Sequence, residues 1–270
     1  MRDISILVTG ATSGIGLATV RRLAADGAAV LAHGRSASRV EQVVGELRAG
    51  GGRAEGLVAD LASLENVARL AEEVAERAPT LDVLVNNAGV GPGGPSGTRE
   101  LSPDGHELRL TVNYLAPVAL TRALLARGLP RRAIVNVSSA GQAPIDFADP
   151  MLERRYDGWQ AYNQSKLALI MFTFDLAAEV PGVAVNALHP GTFLDTTMVR
   201  EIGVKPQGTA EDGADSVVAL VRRSLAGGVT GRYFDGTRPA DPLPQARDPA
   251  ARRRLRELTE ATLTPPRRLR

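Results

Sequence analysis

The sequence predicts an α/β fold, in which a doubly wound, mostly parallel sheet of seven strands carries helices on both faces. Apolar runs of strand length alternate along the chain with longer stretches whose apolar residues recur at helical spacing. Strands that alternate with helices in this way form βαβ crossovers, and such crossovers produce a parallel sheet. The alternation continues without an internal repeat, which favours a single domain over residues 1–237.

Each element follows from its local pattern. Apolar runs predict strands at residues 4–9, 30–33, 56–59, 81–86, 133–137, 183–188 and 232–234. Helical periodicity predicts a first helix that ends at Gly27, followed by helices at residues 36–48, 64–77, 107–127 (a pair), 161–179 and 211–223. Residues 238–270 hold six of the 17 prolines, so we expect a basic surface extension with a short helix at residues 249–261.

Two loops interrupt this alternation. Residues 91–97 are rich in Gly and Pro and follow the fourth strand, and residues 140–160 follow the fifth. Open α/β sheets bind ligands at the carboxyl ends of their strands, where both loops begin. We therefore expect them to act as lids over a site.

The charge is unevenly distributed along the chain. The whole chain has 32 basic and 30 acidic residues, but residues 238–270 hold nine arginines against four acidic residues, a net charge of +5. The other 237 residues therefore carry −3, and no aromatic residue follows Phe234. Without a stacking surface in the basic segment, a solvated helix is favoured and nucleic acid is not an expected partner.

Composition also excludes several chemistries. The chain has no cysteine, which rules out disulfides and thiolate chemistry, and its three histidines are isolated, so no metal site is expected. There is no run of 18 apolar residues to cross a membrane. Strand-like sequence begins at Ile4, so we expect no signal peptide. We expect a cytoplasmic protein that has no membrane partner.

A glycine-rich turn follows the first strand. Glycines 10, 14 and 16 have the spacing Gly-x3-Gly-x-Gly, which differs from the usual dinucleotide fingerprint. Such a turn lets a pyrophosphate approach the backbone at a helix N-terminus. The alternative is a tight turn without a ligand. The residues expected to bind the cofactor here are Gly10, Thr12, Ser13, Gly14, Ile15 and Gly16.

The end of the second strand indicates which cofactor binds. An acidic residue there would accept hydrogen bonds from a ribose, whereas the chain has Arg35 and Ser36, and a guanidinium suits a 2′-phosphate. NADP(H) is therefore preferred over NAD(H), unless Arg35 is simply an exposed surface residue. Asp60 and Leu61 follow the third strand, where the Asp60 carboxylate could meet the adenine amino group.

Tyr162 and Lys166 form the most informative pair. Residues i and i+4 lie on one face of a helix, and a nearby cation lowers the pKa of a tyrosine toward the range useful for acid–base chemistry. Lys166 is one of only two lysines in a chain with 30 arginines, which suggests a need for a compact ammonium. The pair alone could arise by chance, and Ser138 with Ser139 could form an ordinary turn. A parallel sheet would nevertheless bring the two serines and the Tyr162–Lys166 pair to the same edge.

Together these motifs resemble the short-chain dehydrogenase/reductase family in its single-domain, Rossmann-type form. The resemblance covers residues 4–236 and rests on residues 9–16, Asp60, residues 86–89, Asn113, Ser139, Tyr162, Lys166 and residues 190–191. The 23-residue separation of Ser139 from Tyr162 and the heptapeptide that begins at Tyr156 are similar to the retinol-dehydrogenase-like branch. The branch implies hydrophobic carbonyl substrates and a preference for NADP(H).

The resemblance implies a role for each matched residue. Tyr162 would be the general acid, Lys166 would bind the nicotinamide ribose and lower the pKa of Tyr162, Ser139 would hold the substrate oxygen, and Asn113 would hold a relay water. The remaining cofactor contacts would come from Asn87, Ala88, Gly89, Pro190, Gly191 and Thr192. Residues 194–196 make this last segment one residue longer than the commonest form, which leaves open which threonine contacts the cofactor. The expected substrate pocket is mostly apolar and comprises Val90, Gln142, Phe147, Trp159, Phe193 and Met198.

The resulting hypothesis is an NADP(H)-dependent carbonyl reductase or alcohol dehydrogenase. Its partner would be a small carbonyl or alcohol compound, and a homo-oligomer stays open. One alternative is a sensor that binds NADP(H) without chemistry. A second is a sugar epimerase or dehydratase of the same fold, although those relatives usually carry a longer C-terminal substrate domain.

Overall fold

The computed structural model describes residues 1–93 and 98–264. Part of the predicted loop at 91–97 and the last six residues of the basic extension lie outside these ranges. The described chain contains an eight-stranded sheet. Its strands are β1 (Ser5–Val8), β2 (Ala29–Gly34), β3 (Arg53–Val58), β4 (Val83–Asn86), β5 (Ala133–Val137), β6 (Ala184–His189), β7 (Arg232–Asp235) and β8 (Arg238–Ala240).

The strands lie in the order β3-β2-β1-β4-β5-β6-β7-β8. The pairings from β3 to β7 are all parallel, so six crossovers lead from one strand to the next. The chain order reverses direction between β1 and β4, and the strand ends beside that reversal form a crevice. The predicted doubly wound, single-domain fold is confirmed, and all strand-end motifs reach this edge.

The sheet has one strand more than the seven predicted. β8 is antiparallel to β7, with Asp235 opposite Arg238, and the turn between them contains Gly236 at φ +57°. β8 was not predicted because its three residues, Arg-Pro-Ala, have no apolar alternation. A proline is tolerated there because β8 lies at the sheet edge, where an N–H is not needed.

Helices cover both faces of the sheet. α1 (Gly14–Ala25), α2 (Ala37–Ala49) and α8 (Ala210–Leu225) pack against one apolar core. The other core is formed with α3 (Leu64–Arg77), α5 (Ala116–Leu125), α6 (Gly158–Glu179) and α9 (Pro249–Leu263). The shorter helices are α4 (Leu108–Leu110) and α7 (Thr197–Glu201). Both faces of the sheet are buried, which explains why its strands are almost continuously apolar.

The helices differ from the prediction at three places. The two helices predicted at 107–127 are continuous: α4 leads through a π-helical segment, Thr111–Leu115, directly into α5. α6 begins at Gly158, three residues earlier than expected, because Asp157 accepts a capping hydrogen bond from the Gln160 N–H at 2.7 Å. α7 was not predicted, since five residues are too few for a helical period to show.

The segment after residue 237 packs onto the domain. Leu255 and Ala251 of α9 are buried in the core, and Thr259 is hydrogen-bonded to the buried hydroxyl of Tyr114 at 2.6 Å. Arg252 and Arg256 form ion pairs with Asp175 on α6. The predicted helix at 249–261 therefore exists as α9, while the domain boundary at residue 237 stays a prediction. No described helix combines the length and apolarity that a membrane span requires.

Candidate active site

The glycine-rich turn packs too closely for side chains. A Cβ on Gly10 would lie 2.8 Å from the Ala88 Cα, and a Cβ on Gly16 would overlap the Gly10 carbonyl oxygen. Gly10 and Gly14 also have φ values of +67° and +50°, which favour glycine. Thr12 lies against Gly34, at the end of β2. These contacts form a glycine cradle at the start of α1 that has no room for side chains at Gly10 and Gly16.

The cradle is joined to the segment after β4. The Thr9 hydroxyl accepts hydrogen bonds from the N–H groups of Asn87 and Ala88, both at 3.0 Å. The Asn87 side chain donates to the carbonyls of Thr9 and Gly10 at 2.8 and 3.2 Å. Ser13 precedes α1 without making a side-chain capping bond among the described residues, and the first turn of α1 has no acidic residue. The N-terminus of α1 is thus suited to an anion.

His33 belongs to this cradle, although the sequence analysis gave it no role. It is 2% exposed, its Nδ1 accepts a hydrogen bond from the Gly10 N–H at 3.3 Å, and its Nε2 faces the Ala59 carbonyl at 3.1 Å. The ring therefore connects the ends of β1, β2 and β3. Burial lowers the pKa of His33 to about 4, so the ring is neutral at pH 7.

The low pKa of His33 predicts a specific loss of stability in acid. Between about pH 6.5 and 4 the unfolded chain binds the proton more tightly, so the free energy of unfolding falls as the pH drops through that window. The expected loss is roughly 3 kcal/mol. Chemical denaturation at a series of pH values should show a shallower slope for His33→Gln and an unchanged slope for the control His106→Gln. Equal slopes in the wild type and His33→Gln would contradict this role.

Arg35 and Ser36 lie where α2 begins. The Arg35 side chain is exposed, and no hydrogen bond or ion pair among the described residues engages its guanidinium. The hydroxyl of Ser36, the N-cap residue of α2, lies 3.1 Å from the Ser38 hydroxyl, and the first turn of α2 lacks acidic residues. Asp60 is exposed and Leu61 is buried after β3. The Arg35 guanidinium is therefore open to a ligand beside the N-terminus of α2.

Ser138 and Ser139 have different environments. The Ser138 hydroxyl is buried and donates to the Lys166 carbonyl at 2.8 Å, so it ties the end of β5 to α6. The Ser139 hydroxyl is half-buried, accepts from the Gly141 N–H at 3.0 Å and interacts with the Tyr162 hydroxyl. Of the two serines, Ser139 is therefore the one that lies beside Tyr162.

Lys166 is a buried ammonium beneath the segment after β4. It is 4% exposed and donates a hydrogen bond to the Val137 carbonyl at 3.1 Å. A Cβ on Gly89 would lie 3.3 Å from the Lys166 Nζ, so glycine keeps that approach open. Burial lowers the pKa of Lys166 to about 8. An ammonium has three N–H donors, and this hydrogen bond uses one.

The pKa of Tyr162 behaves differently from the prediction. Burial raises it, and the Ser139 hydroxyl offsets only part of the rise. The net pKa is therefore raised and not lowered as expected, because burial outweighs any effect of the Lys166 ammonium, whose Nζ lies 5.7 Å from the centre of the Tyr162 ring. In this arrangement Tyr162 is a neutral phenol that can donate a proton.

Asn113 lies in the π-helical segment and is fully buried. Its side chain accepts from the Val90 N–H at 2.8 Å and donates to the Val90 carbonyl and the Ser165 hydroxyl, both at 3.0 Å. The amide therefore fixes the segment after β4 against α6. Both N–H groups of the Asn113 amide are used by these hydrogen bonds. The water relay implied for Asn113 stays a prediction.

The segment after β6 approaches the cradle from the other side. His189 is hydrogen-bonded to the Thr192 hydroxyl at 3.1 Å, Pro190 is buried, and Gly191 has φ +149°. A Cβ on Gly14 would lie 3.1 Å from the Thr196 Cγ2. Thr196 therefore borders the glycine turn, and it is the second threonine that the longer segment left in question.

The predicted pocket residues divide into two groups. Trp159 is 45% exposed and lies edge-on to Tyr162, with ring centroids 6.4 Å apart, while Val90, Phe193 and Met198 are half-buried after β4 and β6. Phe147 instead packs beneath Arg254 of α9, with the guanidinium 4.6 Å from the ring centre. Both ends of the Gln142 amide bind the protein's own backbone. The sequence could not show that Phe147 and Gln142 are engaged by the protein itself, because these contacts depend on where the C-terminal segment packs.

A buried charged cluster lies beside the site. Arg109 is 3% exposed and forms ion pairs with Glu100 and Glu107 at 2.5 and 3.6 Å, and its Nε donates to the Gly91 carbonyl at 3.1 Å. Glu107 accepts from the Tyr156 hydroxyl at 3.2 Å, and burial near this carboxylate raises the pKa of Tyr156 to about 12. The cluster connects the segment after β4 to the start of α6.

Comparison with known proteins now identifies the family. The model of the short chain dehydrogenases matches residues 5–207. The chain belongs to the short-chain dehydrogenase family. A Streptomyces antibioticus protein named "Probable oxidoreductase" is 40% identical over 262 residues, which cover 87% of this chain and 85% of the relative. Retinol dehydrogenase 14 of Mus musculus is 35% identical over 291 residues, with 96% of this chain and 86% of the relative covered.

Solved structures agree with this assignment. A short chain dehydrogenase from Burkholderia cenocepacia, crystallised in complex with NADP, has a TM-score of 0.69 and 31% identity, with 87% of this chain and 96% of that chain covered. An uncharacterised protein from Mycobacterium paratuberculosis has a TM-score of 0.79 at 29% identity, covering 97% and 94%. This short-chain dehydrogenase is therefore an oxidoreductase, and its predicted similarity to the retinol-dehydrogenase-like branch is confirmed.

Some contacts of this short-chain dehydrogenase were not found from the sequence. His33 lies at the carboxyl end of β2, and that position could have signalled the crevice. Thr196 had been left open, and its place beside Gly14 now makes it a candidate. Arg109 carries no such signal, because only the folded chain buries it beneath Gly91.

Proposed function

We propose that this short-chain dehydrogenase uses NADP(H) to interconvert hydrophobic carbonyl compounds and alcohols, with Tyr162 as the general acid and base. One observation carries the proposal: Tyr162, Ser139 and Lys166 converge at the carboxyl edge of the sheet, beside an open glycine cradle. The names of the relatives, which include retinol and polyprenol dehydrogenases, support the reaction class and an apolar substrate.

The residues fit a nicotinamide dinucleotide. The glycine cradle and the uncapped N-terminus of α1 suit a pyrophosphate, and the buried Lys166 ammonium has N–H donors to offer ribose hydroxyls. The segments of residues 87–89 and 190–192 border the same crevice, with Thr196 close by. When bound, the nicotinamide would supply or accept the hydride.

The remaining chemistry belongs to the chain's own side chains. Tyr162 is held as a neutral phenol by burial, so in the reducing direction it donates its proton to the substrate oxygen. Ser139 meets the Tyr162 hydroxyl and would donate a hydrogen bond to the same oxygen. Lys166 keeps a positive charge 5.7 Å from the Tyr162 ring centre, which stabilises the phenolate that proton donation leaves behind. Trp159, which packs edge-on to Tyr162, and Met198, which lies against Gly91, would provide apolar contacts for the substrate.

Arg35 supports the preference for NADP(H). Its guanidinium is exposed beside the N-terminus of α2, and both features attract a phosphate. We expect Arg35→Ala to raise the Kd for NADPH roughly tenfold or more, as loss of a charged hydrogen bond does, and to change the Kd for NADH less than about twofold. Fluorescence titration of both cofactors checks this, with the neighbouring exposed Arg39→Ala as control. Equal weakening for NADPH and NADH would contradict the assignment.

The decisive experiment follows NADPH absorbance with a panel of apolar ketones and aldehydes. Turnover that increases with the hydrophobicity of the substrate supports the proposal. NADPH binding without turnover of any carbonyl would favour a cofactor sensor. Nicotinamide that stays bound through purification and is not consumed would favour an epimerase or dehydratase.

A further inference from the structure

The C-terminal segment of this chain reaches the loop that carries Ser139. This segment, called the strap here, runs from β8 through the 3₁₀ turn Pro244–Arg247. The loop after β5 passes beneath it at residues 140–147. We propose that Gln245 of the strap is a positioning residue that fixes this loop and thereby the Ser139 hydroxyl. The proposal rests on the function proposed above.

Gln245 binds the loop as a strand partner would. Its Oε1 accepts a hydrogen bond from the Ile145 N–H at 2.7 Å, and its Nε2 donates to the Ile145 carbonyl at 3.2 Å. One amide side chain therefore satisfies both polar backbone groups of a residue that is 5% exposed. A loop held at both groups has little freedom to shift at this point.

A second link connects the strap to Ser139 itself. Gln142 accepts from the Leu243 N–H at 2.9 Å and donates to the Ser139 carbonyl at 3.1 Å. The same carbonyl accepts from the Tyr233 hydroxyl of β7 at 3.0 Å. The backbone of Ser139 is thus fixed from two directions, and Gln142 passes one of these constraints on from the strap.

The strap itself is firmly anchored. β8 pairs with β7, and Ala246, next to Gln245, is fully buried in the core. Farther along, Arg254 of α9 covers Phe147 of the same loop, and Arg256 binds Asp175 of α6. The loop is therefore held against a fixed part of the domain, and the C-terminal segment completes the active site.

The test is a double-mutant cycle. Gln245→Met keeps the length of the side chain but removes both hydrogen bonds, and we expect kcat to fall roughly tenfold while KM changes less than about twofold. In the Ser139→Ala background the same substitution should change kcat less than about twofold, because the residue it positions is gone. Gln245→Glu keeps the acceptor for the Ile145 N–H and should lie between Gln245→Met and the wild type. Gln42→Met, an isosteric change at an exposed site on α2, is the control.

Hydrogen exchange adds a readout that does not depend on activity. The Ile145 amide should exchange faster in Gln245→Met, and unchanged exchange would overturn the proposal whatever the turnover. An equal loss of kcat in both Ser139 backgrounds would also overturn it, since Gln245 would then act independently of Ser139. If Tyr162→Phe turns over like the wild type, the proposed function fails. If Gln245→Met turns over like the wild type while Tyr162→Phe does not, only the proposal for the strap fails.

Discussion

Tyr162→Phe is expected to lower the rate of carbonyl reduction at least about 100-fold, while the Kd for NADPH changes less than about threefold. The substitution removes one hydroxyl, which is the proton donor that burial keeps neutral and that meets Ser139. The ring, its contact with the Lys166 ammonium and its edge-on packing against Trp159 all remain. Steady-state turnover and fluorescence titration measure the two quantities.

The matched control is Tyr114→Phe. Tyr114 is also buried, and its hydroxyl bonds Thr259 of α9, so this variant loses a hydroxyl without touching the Tyr162 proton path. Its turnover should stay close to that of the wild type, with a modest loss of stability of about 1 kcal/mol. Equal turnover of Tyr162→Phe and the wild type would contradict the catalytic assignment.

Lys166→Met is expected to abolish most activity and at the same time stabilise the fold. Loss of the ammonium removes the charge that stabilises the Tyr162 phenolate, so turnover should fall at least about 100-fold. The pKa of about 8 means that the folded protein holds the charge at a cost of up to about 3 kcal/mol relative to water. The lost hydrogen bond to Val137 offsets part of this relief. A net gain on the order of 1 to 2 kcal/mol at pH 7 is expected.

The pH dependence of stability gives a second signature of Lys166. Because its pKa is lower in the folded than in the unfolded state, the unfolded state binds more protons between about pH 8 and 10.5, and wild-type stability rises across that window. Lys166→Met should lack this rise. The chain's other lysine, Lys205, is exposed, so Lys205→Met is the control and should keep both the rise and the activity. Denaturation of the three proteins at pH 7 to 10 tests this. A less stable Lys166→Met that keeps the wild-type slope would contradict the argument.

The parts of the site that follow strands directly could be predicted from the sequence. The glycine turn, residues 86–89 and Ser139 each end an apolar run, and a parallel sheet carries such ends to one edge. The pair Tyr162 and Lys166 was found from helical spacing. The direction of the Tyr162 pKa shift could not be predicted, because the rise depends on burial that spacing does not reveal.

Contacts between distant segments could not be predicted. Gln245 lies 100 residues from Ile145 along the chain, and nothing in the local pattern marks either residue. Phe147 was expected in the pocket on the basis of its apolar side chain, but α9 supplies Arg254 to cover it. β8 escaped notice because an edge strand needs neither apolar alternation nor every N–H.

In the proposed reaction, hydride passes between the nicotinamide and a hydrophobic carbonyl at Tyr162. NADPH that carries deuterium at both C4 positions, an apolar ketone and mass spectrometry of the product test this transfer. We expect an alcohol with one deuterium on the former carbonyl carbon, formed by the wild type and at least about 100-fold more slowly by Tyr162→Phe. An alcohol without cofactor-derived deuterium, or no product from any apolar carbonyl while NADPH is bound, would contradict it.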